Sequence, residues 1–199
     1  MVYLYGMIRA LIFDFYSVWV PDKFEPLVAT AYSQSQVVGE QAREALRQYY
    51  SGSIELEHLV EFFRVSSGAD ISVADFRLDT KDISPKIIDF FRTLHLHFFK
   101  LGVVGNMGRQ EYDLLLDIDR QFHQFEIITC PLEAQVPLLS QDMFVKVLQT
   151  IGEPPQNCIL VSGHQEYLDF AGSLGLQTVA YEGFPKLEKA IMPLLRVIS

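Results

Sequence analysis

The sequence has few cysteines and no cluster of basic residues. Cys130 and Cys158 are far apart, so they form neither a disulfide framework nor a zinc site. We expect two reduced, half-buried thiols, as is usual in the cytoplasm. The 16 Lys and Arg residues are scattered among 25 Asp and Glu residues, and the formal net charge is −9. Because a nucleic-acid binder normally has a basic face, we expect no nucleic-acid partner.

Long apolar runs are missing as well. A membrane-spanning helix needs about 20 consecutive apolar residues, and no stretch approaches that length. The apolar start of the chain is interrupted by Arg9 and followed by Asp14, and no small-residue cleavage site comes after it. We therefore predict neither a secretory signal nor a membrane partner.

What is present is a core-forming composition in an alternating pattern. Hydrophobic residues make up 49% of the 199 residues, which suits one folded domain and argues against disorder. Short apolar runs predict buried strands at residues 8–15, 98–104, 125–129, 158–162 and 176–181. Helical periodicity lies between them, with helix starts indicated at Ser84 and Ser140. Such alternation predicts a doubly wound parallel α/β sheet.

One stretch breaks that alternation. Residues 22–50 and 54–64 are helical in pattern, with no strand between them. We interpret residues 18–82 as a small helical cap inserted into an α/β core formed by residues 1–17 and 83–199.

Ligands bind to an open parallel sheet at the carboxyl ends of its strands. A buried carboxylate there, Asp14, is either a nucleophile or metal ligand, or a structural Asp that accepts backbone hydrogen bonds. We predict Asp14 as the catalytic candidate and no metal-ligating residue. The residues predicted to line the cleft with it are Tyr16, Ser17, Gly105, Asn106, Ser162, Gly163, His164 and Tyr167.

Four segments together resemble the haloacid dehalogenase-like (HAD-like) superfamily. IFDFYSVWVPD (12–22) is similar to its first motif, Asp-x-Asp-Gly, and VVGNMG (103–108) to its second. The segment from residue 159 to 181 is similar to its fourth motif, and YYSGSIELEHLVEFF (49–63) to its helical cap. The resemblance implies a HAD-like, Rossmann-like fold with a small cap and places Asp14 at the nucleophile position.

The motifs depart from the family pattern at the positions that the family's chemistry requires. Tyr16 replaces the acid–base Asp of the phosphatases, and Gly105 replaces a Ser or Thr that binds the transferring group. Val136 stands where a charge-balancing Lys is expected, and Gly163 and Tyr167 replace two metal-binding Asp residues. The resemblance therefore implies a degenerate phosphatase site, with Mg²⁺ expected only in an active phosphatase and otherwise no cofactor.

Asp14-Phe15-Tyr16 also resembles the Asp-x-Tyr version found in the haloacid dehalogenases, which need no Mg²⁺. That branch keeps the Lys and an Asp of the fourth motif, which align with Val136 and Tyr167.

Three functional hypotheses follow. The first is a pseudoenzyme that binds a small molecule or a protein partner in the cleft that is the active site in active members of the superfamily. The second is a divergent hydrolase, phosphatase or dehalogenase-like, with Asp14 as nucleophile. The third is a homodimer assembled through cap aromatics, namely Trp19, Phe24, Tyr49, Tyr50, Phe62 and Phe63.

Overall fold

The computed structural model describes residues 8–97, 99–135 and 140–195. Five parallel strands form one sheet in the order β3-β2-β1-β4-β5. The strands are β1 (Ala10–Asp14), β2 (Lys100–Val104), β3 (Ile127–Thr129), β4 (Cys158–Ser162) and β5 (Gln177–Ala180). Every residue of the central strand β1 is buried, in keeping with its unbroken apolar run.

Helices cover both faces of this sheet. The helices are α1 (Glu25–Gln34), α2 (Gln36–Tyr50), α3 (Leu56–Ser67), α4 (Pro85–Leu96), α5 (Arg109–Phe122), α6 (Pro131–Ala134), α7 (Gln141–Ile151), α8 (Gln165–Ser173) and α9 (Phe184–Leu195). Alternate residues of β1 point to opposite faces: Leu11 and Phe13 join the apolar cluster of α4, α5 and α9. Ala10 and Ile12 join the cluster of α7 and α8. The predicted doubly wound parallel sheet is confirmed.

The helices α1 to α3 lie between β1 and α4 in the chain, where the cap was predicted. Their buried side chains, among them Phe24, Leu59 and Phe63, belong to the same apolar cluster as one face of the sheet. The helices α1 and α2 pack closely because Gly39 has no side chain; a Cβ there would lie 2.1 Å from the Tyr32 ring. The exact domain boundaries at residues 17/18 and 82/83 stay predictions.

Several details differ from the sequence-based expectation. The helix predicted over residues 22–50 is two helices, because Ser35 has an extended backbone and its hydroxyl caps α2 by accepting a hydrogen bond from the Val38 N–H. Ser84 and Ser140 precede α4 and α7, but neither side chain makes the expected capping hydrogen bond. The short helix α6 was not predicted.

The strand expected from residue 98 is observed from Lys100, and residue 98 lies outside the described residues. None of the described helices combines the length and the apolar character that a membrane span requires.

Candidate functional site

A cleft of about 450 Å³ lies between the carboxyl ends of β1 and β4 and the helices α1 and α2. The core side of its wall consists of Asp14, Tyr16, Asn106, Ser140, Gln141, Phe144, His164, Glu166, Tyr167 and Phe170. The opposite side consists of Asp22, Glu25, Arg43, Leu46, Arg47 and Tyr50. The cleft therefore combines aromatic surface with charged groups of both signs.

Asp14 is the most deeply buried carboxylate on this wall, with 1% of its surface exposed. Its Oδ2 accepts a hydrogen bond of 2.7 Å from the Ser162 hydroxyl and a longer one, 3.4 Å, from Ser17. Burial raises the pKa of Asp14 from 3.8 to about 8, although these two hydrogen bonds act in the opposite direction. Burial therefore favours the uncharged form of Asp14 at neutral pH.

The turn after β1 fixes Ser17 in an unusual backbone conformation. Its φ of 82° and ψ of −45° lie in the region that favours glycine, and Ser17 stands at the glycine position of the Asp-x-Asp-Gly motif. A non-glycine residue held in such a sparsely populated region costs about 1–3 kcal/mol. The Ser17 hydroxyl offsets part of this cost, since it accepts a 2.8 Å hydrogen bond from the Gly163 N–H.

Gly163 has no room for a larger residue, and Gly105 has little. A Cβ at Gly163 would lie 2.7 Å from the Cβ and 3.0 Å from the hydroxyl of Ser17. A Cβ at Gly105 would lie 3.2 Å from Asp14 Oδ1 and 3.1 Å from the Cβ of Phe15. Ser17 thus occupies the space that a side chain at position 163 would need, and a Ser or Thr at position 105 would crowd Asp14.

The residues present do not fit a Mg²⁺ site. Mg²⁺ requires several hard oxygen ligands in a near-octahedral arrangement. Tyr167, which the motif resemblance aligns with a metal-binding Asp, has its hydroxyl 2.8 Å from the Asn106 amide, from which it accepts a hydrogen bond. Asp169, two residues further along α8, accepts a hydrogen bond from Gln165 and does not line the cleft. Within residues 8–97, 99–135 and 140–195, no three His, Cys, Asp or Glu side chains are grouped to hold a metal ion.

His164 is the group nearest to Asp14 that can carry a positive charge. Its Nε2 lies 3.7 Å from Asp14 Oδ2, and its backbone N–H donates a 3.0 Å hydrogen bond to the Ser162 hydroxyl. The imidazole is partly exposed and its ring centroid lies 5.1 Å from that of Tyr167. This placement allows His164 to interact with a ligand beside Asp14.

Two arginines of the cap, which the sequence analysis did not single out, line the same cleft as Asp14. Arg43 and Arg47 lie one turn apart on α2, and each also pairs with a carboxylate, Glu25 at 2.6 Å and Glu44 at 3.0 Å. The four-residue spacing puts them on one helix face, and this is the only signal in the sequence that points to them.

The structure brings most of the predicted residues together. Asp14, Tyr16, Asn106, His164 and Tyr167 lie on the cleft wall. Three others, Ser17, Ser162 and Gly163, form the hydrogen-bonded layer behind Asp14, and Gly105 lies against its carboxylate. Val136 lies outside the described residues.

Comparison with solved structures shows which fold this is. A predicted HAD-like family hydrolase from Porphyromonas gingivalis has a TM-score of 0.69 and 18% sequence identity, over 96% of this chain and 99% of that chain. The fold is HAD-like. A HAD family enzyme from Bacteroides thetaiotaomicron, solved with magnesium and inorganic phosphate, has a TM-score of 0.60 and 13% identity, over 89% of this chain and 96% of that chain.

A third HAD-like structure is the L-2-haloacid dehalogenase from Xanthobacter autotrophicus with chloropropionic acid covalently bound. Its TM-score is 0.56 at 15% identity, over 97% of this chain and 85% of that chain. No protein-family model and no curated protein sequence matches the chain.

Proposed function

We propose that this HAD-like protein binds a small organic anion in the cleft under its cap and does not catalyse Mg²⁺-dependent phosphoryl transfer. The observation that carries the proposal is the surroundings of Asp14. Two serine hydroxyls donate hydrogen bonds to it, Gly105 lies against its carboxylate, and two arginines of α2 line the same cleft.

Phosphoryl transfer requires charge to be neutralised on the phosphoryl oxygens as it develops. A site without ligands for Mg²⁺ and with an uncharged Asp14 supports neither the attack nor the neutralisation at neutral pH. Tyr16 also lacks the acidity needed to protonate a leaving group, because burial raises its pKa well above that of an ordinary tyrosine. We therefore propose no metal cofactor for the cleft.

The same features favour anion binding. Arginine presents five N–H donors in a planar fork, so Arg43 and Arg47 retain donors beyond those directed at Glu25 and Glu44. An uncharged Asp14 does not repel an anion and can donate a hydrogen bond to it. Of the cleft carboxylates, Asp22 already accepts hydrogen bonds from two backbone N–H groups at the start of α1.

Calorimetric titration with p-nitrophenyl phosphate tests this function, because the compound carries an anion on an aromatic body and reports its own hydrolysis by colour. We expect saturable binding to the wild type without turnover, with or without Mg²⁺. Binding should weaken about tenfold or more in Arg47→Ala, since a charge-assisted hydrogen bond is lost. Arg64→Ala is the matched control, because Arg64 makes a similar exposed ion pair on α3 and does not line the cleft. Mg²⁺-dependent hydrolysis that disappears in Asp14→Asn would refute the proposal.

A second candidate function is metal-independent hydrolysis through Asp14. It is favoured by the position of Asp14 in a cleft that two arginines also line, and a structure of similar fold is a dehalogenase with chloropropionic acid covalently bound. Because the pKa of Asp14 is raised to about 8, its nucleophilic form would prevail only at alkaline pH. Incubation with 2-chloropropionate at alkaline pH, with measurement of released chloride and mass analysis of the Asp14 peptide, decides between the candidates. Attack by Asp14 forms an ester and releases chloride, so either product, if it is lost in Asp14→Asn, supports the hydrolase. The absence of both products supports binding.

A further inference from the structure

A second buried carboxylate, Glu111 on α5, lies outside the cleft and has no part in the function proposed above. Only 1% of its surface is exposed, and no ion pair with a described Lys, Arg or His side chain neutralises it. Burying an unpaired carboxylate is costly unless hydrogen bonds satisfy it. Burial accordingly raises the pKa of Glu111, against the effect of its hydrogen bonds.

The hydrogen-bond donors to Glu111 come from three parts of the chain. The Tyr49 hydroxyl, at the end of cap helix α2, lies 2.8 Å from Oε2 and 3.0 Å from Oε1. The Tyr16 hydroxyl, from the turn after β1, lies 3.2 Å from Oε1, and the Gln110 amide lies 2.9 Å from it. The same Gln110 amide donates to the carbonyl of Phe76, beyond α3. Glu111 thus joins the core helix α5 to both ends of the cap.

The ring of Tyr49 also packs closely against the core. It lies on the backbone of Gly108, just before α5, where a Cβ would come within 2.2 Å of the ring. A substituted residue at position 108 would push the ring, and α2 with it, away from the core. Both the ring and the hydroxyl of Tyr49 therefore hold the end of α2 against the start of α5.

Helix α2 carries most of the cap side of the cleft. Arg43, Leu46, Arg47 and Tyr50 line the cleft, whereas Tyr49 does not. These residues lie within two turns of Tyr49, so any rotation or lift of α2 moves the two arginines relative to Asp14. Tyr16 connects the two sites directly, because its ring lines the cleft and its hydroxyl contacts Glu111.

We propose that Glu111 is a positioning residue: with Tyr49 and Tyr16 it holds α2 on the core and so sets the distance between the cap arginines and Asp14. The coupling of the cap to the core is argued from the Glu111 contacts and does not depend on the proposed function. Its consequence for ligand affinity rests on the proposed function.

Hydrogen exchange followed by mass spectrometry tests the coupling without any ligand. Tyr49→Phe keeps the aromatic ring on Gly108 and removes the hydroxyl that donates a hydrogen bond to Glu111. We expect amide exchange in α2 to accelerate about ten- to a hundredfold, as loss of a hydrogen bond to a carboxylate predicts, with no change in β4. Glu111→Gln, which keeps one acceptor oxygen, should give a smaller acceleration than Glu111→Ala. Tyr50→Phe is the control, because that buried tyrosine of the same helix makes no hydrogen bond to Glu111 in the described structure.

Equal acceleration in α2 and β4 would show general destabilisation and overturn the proposal, and so would unchanged exchange in α2. Titration of the Tyr49 and Glu111 variants with p-nitrophenyl phosphate then tests the consequence: affinity should fall in Tyr49→Phe although Tyr49 does not line the cleft. Faster exchange in α2 with unchanged affinity would overturn the positioning role. If the wild type itself binds no p-nitrophenyl phosphate, the proposed function fails, while the exchange result still decides on the coupling.

Discussion

Replacing Asp14 by asparagine should make the stability of the protein much less dependent on pH between about 4 and about 8. In the folded protein burial raises the pKa of Asp14 from 3.8 to about 8, whereas in the unfolded chain the carboxyl is exposed to water and has its ordinary pKa. Within this window the folded state holds a proton that the unfolded state has lost. Unfolding therefore releases one proton, and the free energy of unfolding falls as the pH rises, by about 1.4 kcal/mol per pH unit.

The size of the effect follows from the width of the window. About four pH units give an upper value near 6 kcal/mol between the two ends. Rearrangement of the cleft and entry of water reduce this value, so we expect Asp14→Asn to be more stable than the wild type by at least about 2 kcal/mol at pH 8. Asparagine has nearly the same shape and can still accept the hydrogen bond from the Ser162 hydroxyl, so packing differences are small.

Urea unfolding of both proteins at unit steps of pH measures this difference. Subtracting the two profiles removes the contributions of other buried acids, such as Asp22 and Glu111, whose pKa values are also raised by burial. Asp169→Asn serves as the control, since Asp169 is an exposed aspartate of α8 and its replacement should leave the profile parallel to that of the wild type. Parallel profiles for Asp14→Asn and the wild type would refute the reasoning, because they would mean that Asp14 is ionised in the folded protein.

Three further predictions concern packing and metal binding. Gly163→Ala should lower the free energy of unfolding by about 1–3 kcal/mol, because the new Cβ would clash with Ser17. Adding Ser17→Gly to this variant should restore part of the lost stability. Urea unfolding of the single and double variants checks both expectations. Phe91→Ala should cost about 3–5 kcal/mol in the same assay, since the fully buried Phe91 ring packs against Phe13 and Trp19. Added Mg²⁺ should leave the thermal midpoint unchanged, and a saturable rise would contradict our account of the ligand set.

The strands and the overall topology were predictable because their signals are local. A buried parallel strand is a short unbroken apolar run, and the runs that became β1 and β4 are buried along their whole length. The break between α1 and α2 was missed because the hydrophobic periodicity continues through Ser35, where only a capping hydroxyl interrupts the helix. The single-turn helix α6 is too short to have a periodicity at all.

The candidate site was predictable only on its core side. Parallel strands deliver their carboxyl ends to one edge of the sheet, so the residues that follow β1, β2 and β4 were bound to meet there. Arg43 and Arg47 reach the cleft because the cap packs over that edge, and no local pattern gives the orientation of one helical unit on another. Glu111 was missed for the same reason: in the sequence it is one charged residue near the start of a polar helix, and its burial depends on Tyr49.

The substitutions in the motifs are physically linked to one another. Ser17 at the glycine position requires a glycine at position 163, because its side chain occupies the space of any Cβ there. Gly163 has no side chain that could bind a cation, the Tyr167 hydroxyl accepts a hydrogen bond from Asn106, and burial raises the pKa of Asp14. An Asp introduced at position 163 alone would therefore clash with Ser17. We expect that a Mg²⁺ site in this cleft would require changes at Ser17, Gly163 and Tyr167 together.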